Sequence, residues 1–429
     1  MKKVFLICLL TVQCHATQAQ QAIQWKFDWL YGNILKHTKH LEQTVKGPTQ
    51  GAELSMEWAT VPDLSLPARS GKRAWPAYYL YPDVGLSATA LNLGNDTIFG
   101  NLLALYPYFR FHLINLKWIQ LNLKTGAGVS YLTKTFQDAR YFDPNGTLVL
   151  GRSNAAIGSH LNVYFAMGGE LTLPLGKSLE LAGTFSWNHA SNGSFYQPNS
   201  GINMLNGGLG FRYYPSANRK TVANTAWLTL KRTPVDLPVE DADDKRFKTG
   251  LELIISGGAR QLYYRDNKMF PTGALTLVVY RPVSRQLRLG IGADGFYDGV
   301  FAGVNSAADA TQNTSRFKRT YLTDDLLVNR FRGGMSLQPE LMFGKLTAGV
   351  HFGVYLYNPI RNLEPYTDAM NGAPDKGIFY PYDIEKEDGW FYTRASLKYS
   401  LTPHLLLHLG LKTHLQKAEF IEWGIGYRL

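Results

Sequence analysis

Residues 103–131 constrain the fold more than any other part of the chain. Leu103, Leu105, Phe109, Phe111 and Leu113 alternate with Tyr106, Tyr108, Arg110 and His112. After a short break, Ile119, Leu121, Leu123, Ala127, Val129 and Tyr131 alternate with Trp118, Gln120, Asn122, Lys124 and Ser130. A period of two sends successive side chains to opposite faces of a strand, so each segment has one apolar and one polar face. Such strands run for about ten to fifteen residues, whereas those of soluble domains average about five or six. Long strands with an aromatic-rich apolar face are what a transmembrane β-barrel requires, with lipid outside and a polar lumen inside.

The connections fit that architecture. Turns at Ile114–Leu116, Leu175–Lys177, Val283–Arg285, Gly344–Lys345 and Leu401–Pro403 are short, and long polar loops lie between them. Short periplasmic turns and longer extracellular loops are the usual asymmetry of outer-membrane barrels. "VPDLSLPARSGKRAWP", after the second strand, is too long for a short turn and is an exception. Ile421, Trp423, Ile425, Tyr427 and Leu429 alternate with Glu422, Gly424, Gly426 and Arg428, which reads as a closing strand. About eight strands precede residue 215 and about eight follow residue 248, and the halves end alike, a weak sign of internal duplication. The expected fold is all-β: one antiparallel transmembrane barrel of about 14–16 strands, which leaves no open edge. Two tandem eight-stranded barrels are the alternative, because "GLGFRYY" near residue 214 has the form of a closing strand.

The N-terminus indicates the compartment. Lys2 and Lys3, the apolar run "VFLICLLTV" and the small-residue site around Ala19 form a secretory signal, residues 1–19. Both cysteines, Cys8 and Cys14, fall inside it, so the exported chain has no thiol or disulfide. No window approaches the ~18 apolar residues of a membrane-spanning helix. The expected organisation is an N-terminal barrel half (20–214), a charged linker or periplasmic loop (215–248) and a C-terminal half (249–429) that is a degenerate repeat. The formal charge of +11 suggests an anionic partner, phosphorylated lipid rather than nucleic acid.

One stretch carries chemistry, "FSWNHASNGSFYQPNSGIN", Phe185 to Asn203. Between 179 and 191 the even positions are polar and belong to the lumen, so His189 and Ser191 continue the outward stripe of Phe185 and Trp187. Residues two apart on a strand are separated by about 6.6 Å along it and point the same way, a gap that an imidazole and a hydroxyl can close. On the following strand Asn203 shares a face with Leu205, Leu209, Phe211 and Tyr213. Three polar groups therefore gather at the outer rim of a lipid-facing wall.

"HASNG" and "QPNSGIN" resemble the His-x-Ser-Asn and Pro-Asn-x-Gly pattern of the lipid A 3-O-deacylase (PagL-type) and acyloxyacyl hydrolase family of outer-membrane barrels. The resemblance covers about twenty residues closely, and the second half of the chain lies outside it. It implies an integral outer-membrane esterase that removes an ester-linked acyl chain from the lipid A part of lipopolysaccharide, with no cofactor and no metal. By motif position, Ser191 is the nucleophile and His189 its general base; Asn192 and the backbone N–H of Gly193 stabilise the oxyanion, and Phe185 and Trp187 face the substrate. A serine is a poor nucleophile until a base takes its proton, and oxyanion donors are worth roughly 3–4 kcal/mol each. Where the family carries glutamate, this chain has Asn203. Its oxygen can accept the His189 Nδ1–H and hold the ring, but an amide turned the other way selects the wrong tautomer. Glu180 belongs to the lumenal set and is no substitute.

Blander readings apply elsewhere. His189 and Ser191 also suit a polar strand end among lipid headgroups, and Asn203 a loop-closing residue. His37 and His40, in "KHTKH", fall in the first outer loop, as a weak metal pair or as solvated side chains. His404, His408 and His414 are placed together on a lumenal face with structural roles. Asp324 and Asp325 are solvated loop charges or a site for a divalent cation. Lys124, Arg110, Arg212 and Arg288 would line a pore if the chain were a catalytically silent channel or structural barrel.

Overall fold

The structure, a computed structural model, describes residues 23–60, 74–116, 118–176, 178–215, 248–261, 269–301, 327–358, 390–414 and 417–429. The expected signal segment, nearly all of the expected linker, and Asp324 and Asp325 lie outside these residues.

Eight strands make the first sheet: β1 (Ile23–Ile34), β2 (Thr49–Ala59), β3 (Asp83–Asn92), β4 (Asn101–Asn115), β5 (Gln120–Leu132), β6 (Leu161–Pro174), β7 (Leu179–Ser191) and β8 (Ile202–Tyr213). Each pairs antiparallel with the next. β8 then pairs back onto β1, from Trp25 opposite Tyr213 to Ile34 opposite Met204, which closes the barrel. A second closed barrel follows: β9 (Gly250–Arg260), β10 (Phe270–Pro282), β11 (Leu287–Asp298), β12 (Phe331–Phe343), β13 (Leu346–Tyr357), β14 (Phe391–Ser400), β15 (Leu405–His414) and β16 (Lys417–Arg428). Its closure is β16 on β9.

The single barrel of about 14–16 strands expected from sequence is therefore incorrect; the chain forms two separate eight-stranded barrels. Leaving no open edge does not discriminate between the two, since closing twice removes edges as completely as closing once. The free edge of β8 is satisfied by β1, nearly two hundred residues back in the chain, and not by the β9 that follows.

The walls are inside-out relative to a soluble domain. Along β1, Trp25, Phe27, Trp29 and Tyr31 are exposed, whereas Gln24, Lys26 and Asp28 are buried. Ile255, Leu275, Val279, Ile291, Trp423 and Ile425 continue such an apolar exterior on the second barrel. Apolar surface on this scale belongs in hydrocarbon, because a soluble monomer rarely exposes more than a few hundred Å² in one patch.

An eight-stranded barrel is just wide enough for side chains to fill it. Here the filling is ionic. Arg212 contacts Glu57, Glu170 and Glu180, and Arg110 bridges Asp83 and Glu170 at 2.6 and 2.7 Å. Lys124 pairs with Glu53, and in the second barrel Arg288 pairs with Glu252 and Glu340. All four cations considered for a pore wall are thus held by carboxylates inside filled lumens. His408 and His414 are lumenal as expected, but His404 sits exposed in the β14–β15 turn, stacked on Tyr427. Its position falls before β15 begins, where strand parity no longer applies.

The exceptional segment after β2 contains a short helix, α2 (Ala74–Tyr78); α1 (Lys39–Thr44) lies in the first outer loop. Trp75 packs edge-on against Phe109 of the first barrel and Phe343 of the second, at 5.7 and 6.0 Å between ring centroids. Tyr79 stacks on Phe343 at 4.7 Å and donates its hydroxyl to the carbonyls of Gln286 and Met342. The long segment therefore joins the barrels at their short-turn ends.

Candidate active site

The site is built on β7 and β8, whose register places His189 directly opposite Asn203. Both side chains point outward, as strand parity predicts. His189 Nδ1 lies 2.8 Å from Asn203 Oδ1, and Nε2 lies 2.9 Å from Ser191 Oγ. With the ring proton on Nδ1, His189 donates to Asn203 and accepts the serine hydroxyl proton at Nε2. Both distances are within the reach of a nucleophile, a base and a base-orienting group. The ring is held on its faces as well. Trp187 stacks on it at 5.9 Å, Phe165 lies tilted at 6.4 Å, and Gly201 abuts it from the loop. A methyl added at Gly201 would come within 2.8 Å of His189 Cε1, and φ there is +75°. Glycine is required at that position on both counts.

Phe185 is 61% exposed on the outer wall, while Trp187 is half-buried against the histidine. Ser191 is buried, at 5% exposure, beneath the loop that follows it. Asn199, from the Pro-Asn-x-Gly element, accepts the backbone N–H of Asn192 through Oδ1 at 3.1 Å and so ties the two ends of that loop together. The Asn192 side chain braces it further: Nδ2 donates to Ser159 Oγ (3.0 Å) and to the Tyr196 carbonyl (2.9 Å), and Oδ1 accepts from the Tyr196 N–H. Both amide hydrogens of Asn192 are therefore engaged in the loop. The N–H of Gly193 has no acceptor among the described residues. Gly193 and Ser194 adopt left-handed φ values of +61° and +67°, which turn the backbone sharply just past the serine.

Sequence reasoning missed what holds that turn. Ser194 Oγ donates to the Ala418 carbonyl at 2.6 Å, Gln261 N–H donates to the Ser194 carbonyl at 3.1 Å, and Gln197 N–H donates to Gln261 Oε1 at 2.9 Å. Gly193 lies so near Ile421 and Leu411 that an added methyl would fall 2.4 Å from Ile421 Cγ1. All these partners belong to the second barrel. No local signal announces them, because they are distant in the chain, 64 residues for Gln197 and Gln261 and 224 for Ser194 and Ala418, and ordinary in type. His37 was also missed as a site residue: its Nδ1 lies 3.5 Å from Asn203 Nδ2, next to the candidate triad.

Fold and site together define an integral outer-membrane β-barrel protein that carries a serine–histidine–asparagine array on its outer wall. Residues 64–212 match the family described as lipid A 3-O-deacylase (PagL), and residues 249–367 and 377–429 match that described as acyloxyacyl hydrolase, C-terminal domain. The chain belongs to this PagL-type deacylase and acyloxyacyl hydrolase family. The second match corrects the expectation that the C-terminal half falls outside the resemblance. Among solved structures, the outer-membrane enzyme PagL is 16% identical with a TM-score of 0.27, covering 44% of this chain and 98% of its own. The N-terminal barrel domain of Pseudomonas aeruginosa OprF is 12% identical, covering 45% of this chain and all of its own, with a TM-score of 0.24. Ail of Yersinia pestis is 9% identical, covering 45% and 99%, with a TM-score of 0.24. No curated protein sequence matches the chain.

Proposed function

We propose that the protein is an outer-membrane serine esterase that hydrolyses an ester-linked acyl chain of lipid A. The observation that carries this reading is the continuous contact from Asn203 through His189 to Ser191 on a wall that faces lipid. His189 Nε2 takes the proton as Ser191 Oγ attacks the ester carbonyl; the same proton then goes to the departing alkoxide, and water releases the acyl group. Gly193 N–H is the donor placed for the oxyanion, with Asn192 acting on it through the loop it braces. The substrate's acyl chains would lie along the apolar stripe of Phe185 and its neighbours. A serine site opening toward the membrane suits a substrate that never leaves it.

A second reading has specific support: Asn203 brings no negative charge to a histidinium, and Ser191 is buried. In that reading the chain is a catalytically silent barrel, structural rather than porous given its filled lumens. Purified protein incubated with lipid A in detergent micelles separates the two. The esterase reading predicts fatty-acid release that disappears in Ser191→Ala and His189→Ala. Equal release by wild type and both variants, or none by any, leaves the silent barrel.

A further inference from the structure

We infer that His37 is a positioning residue that chooses which way the Asn203 carboxamide faces, and thereby sets the tautomer of His189. The inference rests on the esterase reading for its kinetic consequence, but not for its structural one. An asparagine differs from a carboxylate in having two unlike ends. With Oδ1 toward His189, the histidine carries its proton on Nδ1 and leaves Nε2 free to accept from Ser191. With Nδ2 toward His189, the proton moves to Nε2 and the base is lost. Something outside the triad has to decide between them.

His37, from the loop after β1, meets the far end of the same amide. Its Nδ1 lies 3.5 Å from Asn203 Nδ2, its Nε2 lies 3.1 Å from the Ser200 carbonyl, and Nδ1 also lies 3.1 Å from the Leu35 carbonyl. If the neutral ring carries its proton on Nε2, it donates to Ser200 and accepts the Asn203 amide at Nδ1, with one conflict, the Nδ1 lone pair beside the Leu35 carbonyl. With the proton on Nδ1, the ring donates to Leu35 but meets two conflicts: the Nε2 lone pair faces the Ser200 carbonyl oxygen, and Nδ1–H faces the N–H of the Asn203 amide. The first tautomer gives a one-way run of donors: Ser191 Oγ to His189, His189 to Asn203, Asn203 to His37, and His37 to the Ser200 carbonyl. The reversed run requires Nδ1–H on His37 and turns the amide round. Ser200 precedes Gly201, which packs on His189, so the anchoring carbonyl belongs to the same loop as the site. This arrangement lets asparagine serve where a carboxylate would need no such partner.

A donor-only side chain at position 37 should reverse the amide. His37→Lys is expected to lower kcat for ester hydrolysis roughly two- to tenfold with KM unchanged, the factor that one net hydrogen bond exerts on such an equilibrium. In the Asn203→Glu background, where both oxygens accept, the same His37→Lys change should have little effect. Imidazole nitrogen NMR of the folded, detergent-solubilised protein reads the His189 tautomer directly. It should be Nδ1–H in the wild type, Nε2–H in His37→Lys, and Nδ1–H again in the double variant. An unchanged tautomer and kcat in His37→Lys, or failure of Asn203→Glu to abolish the effect, overturns the inference. If the tautomer shifts as described in a protein that hydrolyses no ester, the esterase reading fails while the role of His37 stands.

Discussion

Replacing Gly193 with alanine should disrupt the site through the second barrel. Two costs add. A left-handed φ of +61° penalises any L side chain by about 1–2 kcal/mol. The new methyl would also lie 2.4 and 2.7 Å from Ile421 Cγ1 and Cδ1, and 3.1 Å from Leu411 Cδ1. Forcing atoms into so close a fit typically costs about 1–3 kcal/mol. The sum, roughly 2–5 kcal/mol, should appear as a lower midpoint for denaturant unfolding in micelles. Fatty-acid release should fall by about 10²-fold or more if the Gly193 N–H serves the oxyanion. Ile421→Ala deletes both of the closest atoms and leaves only the looser Leu411 contact, so against an Ile421→Ala background most of the steric part should be lost and Gly193→Ala should cost little more than the backbone part, about 1–2 kcal/mol. Additive costs in that cycle, or a Gly193→Ala protein as stable as wild type, would refute the claim that the second barrel presses on the loop after Ser191.

Two further predictions concern the body of the protein. Arg212→Met removes the cation shared by Glu57, Glu170 and Glu180 in the first lumen. Leaving buried charges uncompensated should cost about 3–5 kcal/mol by equilibrium unfolding, and a loss under about 1 kcal/mol would mean that water reaches the lumen. In the outer loop, burial and the neighbouring His37 push the His40 ring down to about 4. A histidine depressed in the folded state contributes stability that is complete above its ordinary range near 6.5 and is lost as pH falls toward 4. Wild type should therefore lose more stability than His40→Gln between those pH values; parallel curves would exclude the contribution.

Face assignment was readable in the sequence because a strand's period of two depends only on local geometry. His189, Ser191 and Asn203 emerge on one wall, and Glu180 on the other, just as their parity requires. The short turns were readable for the same reason. Barrel number was not. Strand pairing is made by backbone groups common to every residue, so nothing in β8 marks β1, and not β9, as its partner. The sequence offered only "GLGFRYY", which has the form of a closing strand; the exceptional length of "VPDLSLPARSGKRAWP" is explained by the contact between the two barrels, to which its end supplies Trp75. The site was readable as a motif, with its geometry following from parity and register. Its supports were not: Gln261, Ala418 and Ile421 reach the loop only once the second barrel has folded beside it, and His37 reaches Asn203 only when β8 closes on β1.

The central claim is that Ser191 cleaves a lipid ester at the outer wall of the first barrel. Mass spectrometry of lipid A from bacteria expressing wild type or Ser191→Ala at equal levels in the outer membrane tests it most directly. The wild type should produce lipid A lacking one ester-linked acyl chain, and Ser191→Ala should leave the acylation pattern of cells without the protein. Identical lipid A from wild type and Ser191→Ala would contradict the account.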